Sequence, residues 1–167
     1  MNSNLNFEFT VDKGTNTVHV KRDFNAETSL VWDVFTKAEL LDQWWAPQPW
    51  KSETKSMDFK EGGRRLYAMV GPEGEKHWGV QDYTSITPKA NFRQSNTFSD
   101  EDGNLNKDMP TSDWNLDFID KGDMTTVDIQ IKHKTLADIE MMIQMGFKEG
   151  FTMTLNSLDE MLERLKK

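Results

Sequence analysis

Cysteine is absent from the 167 residues, which excludes disulfides, thiolate nucleophiles and Cys-ligated metal and fits a cytoplasmic protein. Histidine is scarce: there are three, His19, His77 and His133, and no two lie at the four-residue helical spacing of a zinc site. No metal and no cofactor is expected. A basic block is missing too, because twenty Lys and Arg are scattered among twenty-eight Asp and Glu for a net charge of −8. A field of that sign repels phosphate backbones and anionic lipid, so neither nucleic acid nor a membrane is an expected partner. No run approaches the eighteen apolar residues of a membrane span, and Met1 to Glu8 carries no apolar signal region.

Catalytic signatures are missing as well. The chain has no Gly-x-Ser-x-Gly, no Walker-type loop and no dinucleotide fingerprint. Gly62-Gly63 is not followed by a helix, so it reads as a bulge that lets a sheet curl rather than a phosphate cradle. Glu53, Asp58, Asp82 and Asp117 fall in polar-facing phases of their strands, where a carboxylate stays hydrated and keeps an ordinary pKa. His19 and His133 are read as solvent-facing by the same phase argument.

Large side chains are abundant: six Trp, ten Phe and ten Met. Bulk of this kind fills a core or walls a pocket. Near the C-terminus, Phe147, Phe151, Leu155, Leu158, Leu162 and Leu165 recur at helical spacing, within roughly 80° of arc at 100° per residue. The spacing predicts one long amphipathic helix, whose stripe needs a complementary apolar surface about 28 Å long at 1.5 Å per residue.

The rest of the chain supplies strands to make that surface. Leu5, Phe7, Phe9 and Val11 alternate with polar residues, and Val18, Val20 and Phe24 alternate again after a turn at Asp12 to Asn16. Leu30, Val31, Val34 and Phe35 adopt helical spacing, and Thr36 with Glu39 forms a capping-box signature for a second short helix, Ala38 to about Trp44. Alternation returns around Met57 and Phe59, from Leu66 to Val70, at Trp78 to Ile86 and from Phe92 to Phe98. It is clearest at Trp114, Leu116 and Phe118 and at Val127, Ile129 and Ile131. Gly71-Pro72-Glu73-Gly74 marks a hairpin. Thr135 with Asp138 opens a short helix that Gly146 separates from the last one. The order is that of an α+β fold in a single domain, 1–167, with 1–16 as an N-terminal strand extension and 17–167 as its core.

Several of these stretches resemble one superfamily. Phe24-Asn25-Ala26, Val31-Trp32 and Leu40-Leu41-Asp42-Gln43-Trp44-Trp45 look like the opening of the SRPBCC, or START-like, helix-grip proteins. Phe59-Lys60-Glu61-Gly62-Gly63, Thr87-Pro88 and Glu149-Gly150-Phe151 match later motifs of one branch, the domain similar to the C-terminal half of the activator of heat-shock protein 90 ATPase. The resemblance spans Thr17 to Leu165 and implies a strongly curved antiparallel sheet gripping the C-terminal helix, with two short helices after the first strand and often an apolar cavity between. Phe151 stands where that branch commonly has Trp. The eukaryotic activator also carries a separate N-terminal chaperone-binding domain, for which 167 residues leave no room, so chaperone activation is not expected to carry over.

Trp44, Trp45, Met57, Phe59, Tyr67, Met69, Trp78, Phe92, Phe98, Trp114, Phe118, Phe147, Phe151 and Leu155 form the candidate set converging between sheet and helix. They would either wall a small-molecule cavity or fill it. Arg65 has two readings. It shares a face with Tyr67 and could offer a charge to the polar end of a ligand, or it lies exposed while Tyr67 enters the core. Of Trp44 and Trp45, adjacent on a helix and singled out together with Trp50, one is expected to point inward and the other aside, leaving some indole exposed near Pro47 and Pro49.

The leading functional expectation is a binding domain for a small hydrophobic or amphipathic molecule. The alternatives are a module for a chaperone or other protein partner, and a cyclase- or dehydratase-type enzyme with a His and a carboxylate facing the cavity.

Overall fold

The computed structural model describes residues 7–166. The readings of Leu5 and of Met1 to Asn6 lie outside the described residues. Eight antiparallel strands make one sheet: β1 Phe7–Asp12, β2 Thr17–Phe24, β3 Lys51–Met57, β4 Arg64–Val70, β5 Lys76–Thr87, β6 Asn91–Ser99, β7 Ser112–Asp120 and β8 Thr125–His133. Their spatial order is β1-β2-β8-β7-β6-β5-β4-β3. Helices α1 Thr28–Thr36 and α2 Ala38–Leu41 follow β2, and α3 Leu136–Gln144 and α4 Phe147–Leu165 end the chain.

Period-two alternation sends one set of side chains to the concave face, and register lines these up in rows across the strands. Val20, Ile129, Leu116 and Phe92 form one row across β2, β8, β7 and β6. The next runs Val18, Ile131, Trp114, Gln94 and Tyr83, and the one after it His133, Ser112, Asn96, Gln81 and Arg65. The first row is apolar and the third polar, and that gradient shapes the site described below.

Helix α4 lies against this face. Phe151, Leu155, Leu158, Met161 and Leu162 are buried, each such side chain contributing about 1.5–3 kcal/mol. Its C-terminal half is also held by polar contacts. Buried Arg22 donates to Asn156 Oδ1 at 2.9 Å, pairs with Asp159 and stacks on Phe7 and Phe24. Lys166 Nζ donates to the Asn25 carbonyl at 2.7 Å. Leu165 continues the sequence stripe but is exposed, because the buried arc drifts to Met161 near the helix end.

The fold is the predicted α+β helix grip, with local differences that have physical causes. Strand β3 starts at Lys51, well before the alternation at Met57. Its inward residues, Ser52 and Thr54, are polar because they bond to Asp42 and Arg65. Gly62, at φ 84°, donates its N–H to the Tyr83 carbonyl at 2.8 Å while the Tyr83 N–H donates to the Gly63 carbonyl at 3.0 Å, so Gly62-Gly63 stand opposite one residue as the expected bulge at the turn into β4. Register shifts at Thr54/Ser56 and Tyr83/Ser85 bend the sheet further. The Thr36–Glu39 capping box does not form: Thr36 lies inside α1, where its hydroxyl donates to the Trp32 carbonyl at 2.8 Å. Thr135 does cap α3, accepting from the Asp138 N–H at 3.1 Å. His133 is buried, since it continues the inward series Val127, Ile129, Ile131. His19 faces outward beside Asp128.

Candidate functional site

The concave face has two unlike ends. Toward α1, Trp32 packs edge-on against Phe59, Phe92 and Phe118, with ring centroids 4.9–5.9 Å apart. Phe35 joins Phe118 to Trp44, and Phe59 reaches Tyr83. Such edge-to-face contacts each add about 0.5–1.5 kcal/mol beyond simple burial. This end is a solid plug.

Toward the N-terminus of α4 the rings stand apart and line a half-open cavity of about 380 Å³. That is ample for a small organic molecule. Trp114, Phe147 and Phe151 form one wall, with Phe151 edge-on to Trp114 at 5.5 Å. Tyr67, Met69, Trp78 and Phe98 line the opposite side, and Trp45 closes the inner end. Pro47, Trp50 and His77 also line it, the last two in ring contact at 5.3 Å. Met142, Met145 and Gly146, from α3 and its junction with α4, line it as well.

Two glycines shape this space. Gly150 presents no side chain to the cavity from α4. At Gly79 an added methyl carbon would sit 3.3 Å from the Tyr67 hydroxyl, so its bare backbone is what lets the Tyr67 ring lie across β5.

Eight of the fourteen candidate residues therefore line the cavity: Trp45, Tyr67, Met69, Trp78, Phe98, Trp114, Phe147 and Phe151. The other six do not. Trp44, Phe92, Phe118 and Leu155 are buried core, and Met57 and Phe59 pack against it. Sequence reasoning singled out Trp50 beside Trp44 and Trp45 but missed Pro47, His77, Met142 and Met145, which come from a loop, the start of β5, α3 and its junction with α4 and share no common period. Both Trp44 and Trp45 are buried, against the expectation of an exposed indole. Trp44 points to the plug, donating Nε1–H to the Val34 carbonyl at 2.8 Å, while Trp45 points to the cavity.

Arg65 is fully buried, which overturns the exposed reading. It does not line the cavity either. Its guanidinium donates to Thr54 Oγ1, Gln81 Oε1, Ser52 Oγ and Asp42 Oδ1 at 2.9–3.3 Å and stacks on Tyr67 at 4.2 Å. Burial pulls its pKa down, while Tyr67, Tyr83 and Asp42 oppose the shift. Burial likewise pushes the Tyr83 hydroxyl up, with Arg65 opposing. The result is a dry, satisfied cation behind the cavity wall.

Among the described residues no Asp, Glu, Lys or Arg lines the cavity. Asp82 is held by Arg64, Asp117 by Asn91 and Asn115, and Glu53 and Asp58 are exposed. The His and carboxylate required by the enzyme alternative are thus not brought together there. No cluster of three His, Asp or Glu able to hold a metal ion occurs among the described residues.

The model of the family described as Activator of Hsp90 ATPase homolog 1-like protein matches residues 25–163. The chain belongs to this family. No curated protein matches it. Among solved structures it is similar to protein Ms6760 from Mycobacterium smegmatis, with 26% identity, TM-score 0.85 and coverage of 93% of this chain and 95% of that one. A protein from Staphylococcus epidermidis gives 26% identity and TM-score 0.82, covering 93% and 94%. A protein from Arthrobacter aurescens, at 22% identity, TM-score 0.89 and coverage of 94% and 91%, shares the fold. Membership of the Activator of Hsp90 ATPase homolog 1-like family supports a module that binds a ligand or a protein partner. No helix among the described residues is long and apolar enough to cross a membrane.

Proposed function

We propose that the protein binds a small apolar or amphipathic molecule in the cavity between the sheet and the N-terminal half of α4. The observation that carries this reading is the 380 Å³ space beside a closely packed plug. A chain with enough aromatic bulk to fill one end leaves the other open, at the end where the sheet floor turns polar. Apolar walls with a few polar groups are the usual make-up of a small-molecule site. A cytoplasmic setting belongs to the same proposal and is supported by the cysteine-free sequence.

Native mass spectrometry of gently purified protein tests the reading, together with titration by the neutral dye Nile red. An extra mass lost on denaturation, or saturable dye binding, is expected for the wild type. Gly150→Leu, which fills the cavity from α4, should abolish both. Equal binding by Gly150→Leu, or none by the wild type, would refute the reading.

A second reading, a co-chaperone-like module for a chaperone or other protein partner, is favoured by the family together with the exposed Met141 on α3, Met145 between α3 and α4, and Met153 on α4. It predicts stimulation of a heat-shock protein 90 ATPase that is lost in Met153→Glu, which lies outside the cavity lining, and kept in Gly150→Leu. Absence of stimulation by the wild type would rule it out.

A further inference from the structure

We infer that the cavity selects an uncharged, ring-bearing molecule with a hydrogen-bond acceptor, which Asn96 and Tyr67 hold at the cavity floor. This rests on the reading of the cavity as a ligand site and names the class of ligand.

The floor carries the argument. The third row of the concave face is a polar ladder, with Arg65, Gln81, Asn96, Ser112 and His133 standing in register across five strands. Its flanks are closed off from the cavity, with Gln81 Nε2 and His133 Nδ1 buried without a hydrogen-bond partner among the described residues. Arg65 is consumed by Thr54, Gln81, Ser52 and Asp42. The middle of the ladder is different. Asn96 and Ser112 line the cavity. Asn96 accepts from Gln94 Nε2 at 2.8 Å through Oδ1, and its own Nδ2 donates to no described residue. One row further along, the Tyr67 hydroxyl lies over Gly79, in the same lining, and also makes no hydrogen bond to a described residue. Two unused donors on adjacent rows of an apolar enclosure favour a carbonyl or ether oxygen, whose lone pairs can receive both.

Charge decides what carries that oxygen. A carboxylate inside would be stripped of water with no Lys or Arg in the lining to meet it, and burying an unpaired charge is heavily penalised. A carboxylate left at the mouth would face a molecule of net charge −8. A neutral acceptor escapes both penalties. The walls favour flat partners, because Trp45, Trp78, Trp114 and Phe151 present ring faces and edges that stack on another ring.

Isothermal titration calorimetry at pH 7.5 tests this with four probes: 2-acetylnaphthalene, 2-naphthoate, 2-ethylnaphthalene and decanoate. The ketone should bind about tenfold or more tightly than the naphthoate and the decanoate, and about fivefold to tenfold more tightly than the ethyl compound, the usual worth of such hydrogen bonds. Tyr67→Phe and Asn96→Leu should each weaken the ketone at least about threefold more than they weaken 2-ethylnaphthalene, a selective loss that a merely structural disturbance would not produce. Naphthoate or decanoate binding as tightly as the ketone would overturn this inference while the cavity reading stood. Ketone and ethyl compound binding alike would overturn the assignment to Asn96 and Tyr67. Failure of all four probes would overturn the cavity reading with it.

Discussion

Two ends of one groove, built from the same residue types on the same strands, have opposite fates. At the α1 end Trp32, Phe35, Trp44, Phe59, Phe92 and Phe118 interlock. At the α4 end Trp45, Trp114, Phe147 and Phe151 pack on each other along one side and leave the other side open. The division passes between the adjacent residues Trp44 and Trp45. What differs is the covering element. Helix α1 drops Val31, Trp32, Val34 and Phe35 into the groove, whereas the first turns of α4 offer Gly146 and Gly150 beside Phe147 and Phe151. Ring content does not make a core; closure from the opposite side does.

The largest effect expected from this contrast comes from truncating a ring in each half. Phe92→Ala should cost about 3–5 kcal/mol, as deletion of a fully packed ring does. Phe98→Ala, from the same strand but on the cavity, should cost about 1 kcal/mol, because that ring already lacks partners on one side. Urea denaturation of the two variants gives the comparison, and equal losses would break it. Next comes the polar ladder between the halves. Arg65→Ala takes one donor from each of Asp42, Ser52, Thr54 and Gln81 and leaves a void where the guanidinium was, and should cost about 3 kcal/mol by the same measurement.

Gly150→Ala carries the opposite sign. The new methyl would meet Pro47 Cγ at an ordinary 3.6 Å, and replacing Gly inside a helix gains about 0.5–1 kcal/mol. A raised melting temperature is expected, and a lowered one would mean that α4 needs freedom at that position. The smallest effect is pH dependence. Burial holds the His133 imidazole below its ordinary 6.5, although Asp138 pulls the other way. The folded protein therefore binds fewer protons than the unfolded chain as pH falls below that value, and stability drops on the acid side while staying intact above it. His133→Gln should flatten the fall in melting temperature between pH 7 and pH 5.

The fold was legible because its signals are periodic. The stripe from Phe147 to Leu162 and the alternation through Trp114–Phe118 and Val127–Ile131 each demand one buried face, and the structure provides it. Strand β3 was only half legible, since its inward Ser52 and Thr54 serve a buried guanidinium and look like a solvated edge. The site was legible as a set of rings and illegible as a shape. Periodicity says that Phe92 and Phe98 point the same way, but not that Trp32 fills the space over the first while the second borders the cavity. Arg65 was misread for the same reason, because its partners Asp42, Ser52, Thr54 and Gln81 come from three other segments that no local pattern joins.

The six tryptophans provide the most direct measurement. Trp45, Trp50, Trp78 and Trp114 line the cavity, while Trp32 and Trp44 belong to the plug. In an NMR titration with 2-acetylnaphthalene, the indole N–H signals of the first four should move and those of Trp32 and Trp44 should stay in place. Equal movement of all six, or movement of the plug pair alone, would contradict the division of the groove on which the account depends.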